Sequence, residues 1–368
     1  MRKYLVTFKG KANTAILNEL GATNIYKPRF IDRVVICTLD NDGKRALEEA
    51  DQILSVELDE ADVVGDILDE DEVEKGSYAY DFMEVSKFHR KGIKGDGVKV
   101  AVMDTGVQRH VDLSIAGGVN AFNNSLPYDN NLANGHGTRV AGVIAARGIN
   151  EDFVGIAPNV SLYAIRIDDG GGSINRTHWS SQIIGMEWAI VNDIDVINCS
   201  FSSTVDSIAR REAFKAAYDA GIAIFCSGGN RQGDVPLSQH TVAYPSIYPF
   251  VISTANINED KTRYSTSSVG KGLNFSNGGV SIRTTNMDNS KSISDRYSTN
   301  TGTSYASPAT AGMYCLYKSM FPNESREKLL QRMYVNAEKI GSHLFFGTGI
   351  PRFPNIGYEN IIINERVN

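Results

Sequence analysis

An aspartate, a histidine and a serine, each set among small residues at the end of an apolar run, could do chemistry in this sequence. GDGVKVAVMDTGV brings an apolar stretch, Val98 to Met103, directly to Asp104. NGHGTRVAGVIAA places His136 between two glycines at the head of an apolar helix, and NTGTSYASPATAGMYCLY opens another helix at Ser304. A serine that cleaves an unactivated acyl bond needs a base for its proton, a carboxylate to orient that base, and donors for the oxyanion. The three residues supply the first parts, and unpaired N–H groups at a helix start supply donors. Asn230, closing the run AIFCSGGN, adds an amide donor. Each also suits a structural task when taken alone: Ser304 or Thr303 as a helix cap, Asp104 or Asn230 in a turn, His136 as a second cap. The glycine context shared by Asp104, His136 and Ser304 favours a joint chemical role.

The elements that must position these residues alternate along the chain. An apolar strand at 98–103 is followed by a helix behind His136, and the second half of VGIAPNVSLYAIRI reads as a strand. Helices near 180–191 and 207–219 separate strands at 195–200 and 221–230, and another strand spans 248–257. This pattern predicts an α/β unit with a mostly parallel sheet covered on both faces. An aspartate at a strand's C-terminal edge then lies where open α/β sheets present functional groups. Ahead of it, strands at 3–9, 33–39 and 53–60 and helices at 13–20 and 42–50 predict a small α+β unit. Between the two runs DEADVVGDILDEDEVEKG, a self-repelling stretch that reads as a boundary or linker. Of the chain's acids, 10 fall between Glu57 and Glu74.

Composition narrows the classes. The 368 residues carry a formal charge of -6, which disfavours a nucleic-acid partner that needs clustered positive charge. No 18-residue apolar span is present, which argues against a membrane helix. Cys37, Cys199, Cys226 and Cys315 form no CxxC pair, and three lie in apolar runs, as buried thiols do. MRKYLVTFKG lacks the apolar core of a signal peptide, so a reducing, cytoplasm-like compartment is expected. An intracellular or virus-encoded protein fits that reading.

The motifs VAVMDTGV, HGTRVAG and GTSYASP, in this order and joined by SGGN, resemble the subtilisin-like serine proteases, the subtilase family. A different α/β hydrolase would show a GxSxG elbow and the order Ser, Asp, His, which this chain lacks. The resemblance runs from about residue 80 to at least 335. It implies a three-layer subtilisin-like fold preceded by a small ferredoxin-like α+β domain. It also implies Asp104 as orienting carboxylate, His136 as general base and acid, Ser304 as nucleophile and Asn230 as oxyanion donor with the Ser304 N–H. Ser200, Phe201 and Ser202 would line one side of the substrate pocket, and Ser227, Gly228 and Gly229 the other. Gly170, Gly171 and Gly172 would form the edge that pairs with an extended peptide. The segments YPSIYP and FSNGGVSI would support the serine loop. No organic cofactor is implied; Asp112 in HVDL resembles a family calcium ligand, making Ca²⁺ a candidate stabilising ion, with 148–153 as the partner loop.

On this reading residues 1–64 are a propeptide domain, a folding chaperone and inhibitor, 65–79 an acidic processing linker cut between Val64 and Tyr78, and 80–368 the catalytic domain. The protein would be an autoprocessed serine endopeptidase acting on polypeptides. The competing reading is a catalytically idle binding or structural protein with its N-terminal domain permanently in the cleft. Four positions depart from the family pattern: SGGN replaces AAGN, Ser202 replaces a glycine, Arg139 replaces a histidine after HGT, and SPAT follows the nucleophile.

Overall fold

The computed structural model describes residues 1–64, 78–129, 135–149, 153–170, 175–230, 240–287 and 296–355. The chain opens with β1 (Arg2–Phe8), α1 (Ala15–Glu19), β2 (Thr23–Tyr26), β3 (Val34–Leu39), α2 (Asn41–Glu48) and β4 (Ile53–Leu58). β5 (Ala61–Val64) follows, then α3 (Tyr78–Phe82) and α4 (Val85–Arg90). The larger unit contains β6 (Lys99–Asp104), β7 (Ile115–Asn120), α5 (His136–Ala145), β8 (Ser161–Arg166), β9 (Asn175–His178) and α6 (Trp179–Val191). It continues through β10 (Val196–Cys199), α7 (Ile208–Asp219), β11 (Ala223–Ser227), β12 (Ile252–Ile257) and β13 (Leu273–Gly278). It closes with β14 (Ile282–Thr285), β15 (Tyr297–Asn300), α8 (Thr303–Met320), α9 (Arg326–Val335) and α10 (His343–Phe346).

The expected parallel sheet is present: seven strands in the order β13-β12-β11-β10-β6-β8-β7, with every pairing parallel. β10, β11 and β12 are buried along their whole length, the burial expected of strands covered on both faces. α5 and α8 share one core with one side of the sheet, whereas α6 and α7 share a second core with the other. The chain runs outward from β6 to β7, returns through β8, and only then crosses to β10. The carboxyl end of β6 is therefore the switch point of the sheet, where a crevice opens.

In the N-terminal unit the order β2-β3-β1-β4, all antiparallel, is ferredoxin-like. Alternate residues of β1 serve two cores, because successive strand side chains face opposite ways. Tyr4, Val6 and Phe8 pack under α1 and α2, while Leu5 joins Ile31, Val34 and Ile36 in the core beneath α6 and α7. β2 went unrecognised in the sequence because TNIY is a largely exposed edge with no apolar alternation. β7 and β13, at the two edges of the large sheet, escaped for a related reason: IAGGVN and LNFSNG carry glycines and polar residues.

α5 is held against β14 by side-chain donors. Thr284 Oγ1 donates to Arg139 O at 2.6 Å and Thr285 Oγ1 to Thr138 O at 2.8 Å. Gly142 makes that approach sterically feasible, since a Cβ there would stand 2.1 Å from Thr285 Oγ1. Gly142→Ala is expected to lower folding stability by about 2 kcal/mol, despite alanine's better helix propensity, and thermal unfolding against wild type checks it.

Candidate active site

Asp104 is the last residue of β6 and is fully buried. Its Oδ1 accepts from the Thr105 N–H at 2.7 Å and stands 2.8 Å from His136 Nδ1. A carboxylate in that place accepts, so Nδ1 carries the proton and Nε2 is left with the lone pair a base needs. His136 opens α5, and the helix can start this close to β6 because residue 137 is glycine. A Cβ at Gly137 would lie 2.3 Å from Gly106 O. Gly137 N–H donates to Thr105 Oγ1 at 3.0 Å, tying the two motifs together again. The His136 ring lies 6.1 Å, centre to centre, from that of Tyr305, the residue after Ser304. Arg139, the departure after HGT, donates to Tyr305 Oη at 3.2 Å and to Asn286 Oδ1 at 3.3 Å, linking α5 to α8.

Ser304 sits in the first turn of α8, whose N-cap Gly302 has no side chain to occupy the first amides. Its Oγ lies 3.4 Å from Ser200 O. Behind it runs a buried polar chain: Ser307 Oγ donates to Asn198 Oδ1 at 2.8 Å, Asn198 Nδ2 to Ser200 Oγ at 2.9 Å, and Ser200 Oγ to Ser304 O at 3.0 Å. Asn198 and Ser307 were missed as positioning residues; the available signal was an asparagine inside the apolar run DVINCS. Asn230 Oδ1 accepts from both Thr303 N and Thr303 Oγ1 at 3.0 Å. That fixes the amide flip and leaves Nδ2 to donate elsewhere. A Cβ placed on Gly302 would stand 3.4 Å from Asn230 Nδ2 and 3.7 Å from Ser304 N, so both donors border one small space. Such a pair suits a tetrahedral oxyanion. FSNGGVSI supports this turn as expected: Gly302 N–H donates to Gly279 O at 2.8 Å.

The expected pocket walls come from neighbouring strand ends. Cys199 and Cys226 are register partners, so Ser200 and Ser227 leave the sheet side by side. Gly228 is pinned to Thr254 O and Gly229 adopts φ +104°, a conformation that favours glycine. Phe201 is buried, while Ser202 is half-buried. YPSIYP packs alongside through a bridge between Ser203 and Tyr244.

A strand pairing lies just beyond the glycines expected to form the peptide-pairing edge. β5 lies antiparallel on β9, with Ala61 opposite His178 and Val64 opposite Asn175. The strand paired there is Asn175–His178. Gly170 (φ +72°) belongs to the turn before β9, where Asp168 bridges Thr177; Gly171 and Gly172 lie outside the described residues. Asp168 holds this turn, with Oδ1 2.6 Å from Arg166 Nε and Oδ2 3.2 Å from the Gly170 N–H. Burial pushes the Asp168 pKa up, opposed by Arg166.

Asp112 is buried, but its oxygens are engaged by donors. Oδ1 accepts from the Ile149 N–H at 2.6 Å and Oδ2 from the Tyr297 hydroxyl. This does not fit a cation that wants six to eight oxygens, and the described residues contain no group of three or more His, Cys, Asp or Glu that could hold a metal. Positions 150–152 of the expected partner loop lie outside the described residues. The four cysteines are free and buried. Burial raises Cys199 well above the usual thiol range and Cys37 to about 11, so neither is a competing nucleophile.

The junction acids have partners in the large unit. Glu57 accepts from the Ile208 and Ala209 N–H groups at 2.9 Å, capping α7, and Asp59 accepts from Ser180 N at 2.8 Å, capping α6. In the reverse direction Glu187, on α6, accepts from the Arg29 N–H at 2.6 Å and the Phe30 N–H at 3.0 Å. Of the expected linker 65–79, residues 65–77 lie outside the described residues, whereas Tyr78 and Ala79 open α3 and Ala79 is buried in the core shared by α5 and α8.

Comparison with known proteins agrees with this geometry. The subtilase family model matches residues 95–349. Subtilisin DY of Bacillus licheniformis is 36% identical over 274 residues, 74% of this chain and 95% of that protein. A thermostable alkaline protease of Halalkalibacterium halodurans is 36% identical over 271 residues, covering 73% of this chain and 70% of its own. Subtilisin E of Bacillus subtilis is 30% identical over 358 residues, 95% of this chain and 88% of that protein, an alignment that includes the N-terminal unit.

The two tasks of Asn230 are separable. Asn230→Asp keeps an oxygen for Thr303 but replaces the Nδ2 donor, so kcat is expected to fall about 100- to 1,000-fold with KM and melting temperature little changed. Steady-state kinetics on a peptide substrate, with a thermal melt, checks this.

Proposed function

The chain belongs to the subtilase family and is a subtilisin-like serine endopeptidase acting on polypeptides, and from that premise we propose that Asp104, His136 and Ser304 are its triad and that it removes its own N-terminal unit. Ser304 Oγ attacks the scissile carbonyl carbon while His136 Nε2 takes the hydroxyl proton. The proton passes to the leaving amine as the C–N bond breaks, leaving an acyl-enzyme that water hydrolyses by the same steps. Asp104 holds the imidazole and stabilises its charged form; Asn230 Nδ2 and the Ser304 N–H take the oxyanion. The observation that carries this reading is the buried 2.8 Å contact from His136 to Asp104 at the sheet's switch point.

The N-terminal unit serves as intramolecular chaperone and inhibitor. Support comes from β5 on the β9 edge, as an inhibitory peptide would lie, and from Glu57 and Asp59 on the first turns of α7 and α6. Carboxylates there offset the unpaired amides and the dipole of each helix, about 1 kcal/mol apiece. A prefolded partner contributing both caps favours a parallel sheet whose non-local pairings form slowly. We also place the enzyme in the cytoplasm, where its four buried thiols would stay reduced. Asp112 acts as a hydrogen-bonded strut and not as a calcium ligand.

Ser304→Ala is expected to stay full-length by intact mass, whereas the wild type loses a fragment ending between Val64 and Tyr78. A wild type recovered uncut and inert towards casein would support the idle, permanently docked alternative instead. Excess chelator is expected to leave the melting temperature unchanged; a drop of several degrees would return calcium to the protein.

A further inference from the structure

Asp62 stands within β5, opposite Thr177 of β9, and its side chain is directed into the large unit. It is 3% exposed, and a carboxylate so buried must meet donors or take up a proton. The donors are there. Arg210 Nη1 lies 3.2 and 2.9 Å from Oδ1 and Oδ2, Trp179 Nε1 lies 2.9 Å from Oδ1, and Gln182 Nε2 lies 2.9 Å from Oδ2. Arg210 is fully buried, with its guanidinium 4.8 Å from the centre of a Trp179 ring and Nη2 donating to Val205 O at 2.7 Å.

None of these donors belongs to the N-terminal unit. Trp179 and Gln182 lie in the first turn of α6 and Arg210 in that of α7, so the pocket is built by the enzyme, and β5 brings only the carboxylate. Docking of the N-terminal unit already has Glu57, Asp59 and the Glu187 contact. A buried arginine kept in addition is costly unless an anion regularly faces it. Once β5 departs, the pocket stays on the enzyme beside the β9 edge on which a substrate strand would be seated.

Resting on the endopeptidase reading above, we propose that Trp179, Gln182 and Arg210 form a specificity subsite for an acidic side chain of the substrate. The residue selected is the one opposite Thr177 when the substrate pairs with β9 as β5 does. An aspartate there restores all three donors. An apolar side chain leaves the guanidinium without a counter-charge, and an asparagine presents one acceptor where two are wanted. Glutamate, one methylene longer, fits less well than aspartate, because the donors are set for the shorter reach.

The test uses enzyme obtained by processing of the full chain. Peptides randomised upstream of the scissile bond should show aspartate enriched at one fixed position. Matched peptides with Asp or Leu there should differ in kcat/KM by about a hundredfold. Arg210→Met should remove that preference or invert it. If Arg210→Met does not fold, Gln182→Glu serves instead, since a second carboxylate should repel the acidic peptide while the Leu peptide is retained. Equal cleavage of the Asp, Asn and Leu peptides by wild type overturns this proposal and leaves the endopeptidase reading standing. A wild type that cleaves no peptide and no casein overturns both.

Discussion

Asp104 ends β6 with no exposure to solvent, and the price of that burial is a donor held close by; the rest of the site follows from this need. His136 is that donor at 2.8 Å, so α5 must begin against the end of β6. Small residues allow it: Gly137 lies against Gly106, and Gly142 lets the same helix sit on the threonines of β14. With α5 placed, its neighbour α8 is drawn to the same crevice, and the chain from Ser307 through Asn198 to Ser200 ties Ser304 to the end of β10. Ser304 is thus held by hydrogen bonds between buried partners, which resist displacement because each broken bond leaves an unmatched polar group.

The second organising feature is electrostatic. Two helices begin on the face where the N-terminal unit docks, and two acids of that unit sit on their first amides. The acid-rich junction reads from the sequence as a self-repelling linker, and its described part is instead an ordered contact surface. Glu57, Asp59 and Asp62 each have named partners, so this part of the overall charge of -6 is local and specific. Carboxylates next to one another in sequence avoid repulsion by facing different cations and helix ends.

Much was legible because local signals and global fold agreed. The apolar run into Asp104, the glycine-flanked His136 and the serine at a helix start all stand where the sequence placed them. So do Ser200 and Ser227, at the carboxyl ends of β10 and β11. Edge strands were less legible: β2 and β7 bury little, and β13, though buried, carries asparagines, a serine and a glycine in place of an apolar alternation. Gly170 is ambiguous in sequence for a different reason. Glycine reports backbone freedom, which a tight turn and a peptide-binding edge both use.

The architecture and the family were settled in the sequence, because those are written in periodicity and in residues contiguous with their own helix or strand. Tertiary structure alone decided which groups meet. Asn198 meets Ser307 from more than a hundred residues away, and Asp112 accepts from a tyrosine, Tyr297, still further along the chain. Arg210 reads in sequence as one more charge on a helix, and becomes a buried anion receptor only when α6, α7 and β5 converge. The reason is physical: burial and pairing belong to positions in space, and a sequence specifies them only after the chain has closed its long loops.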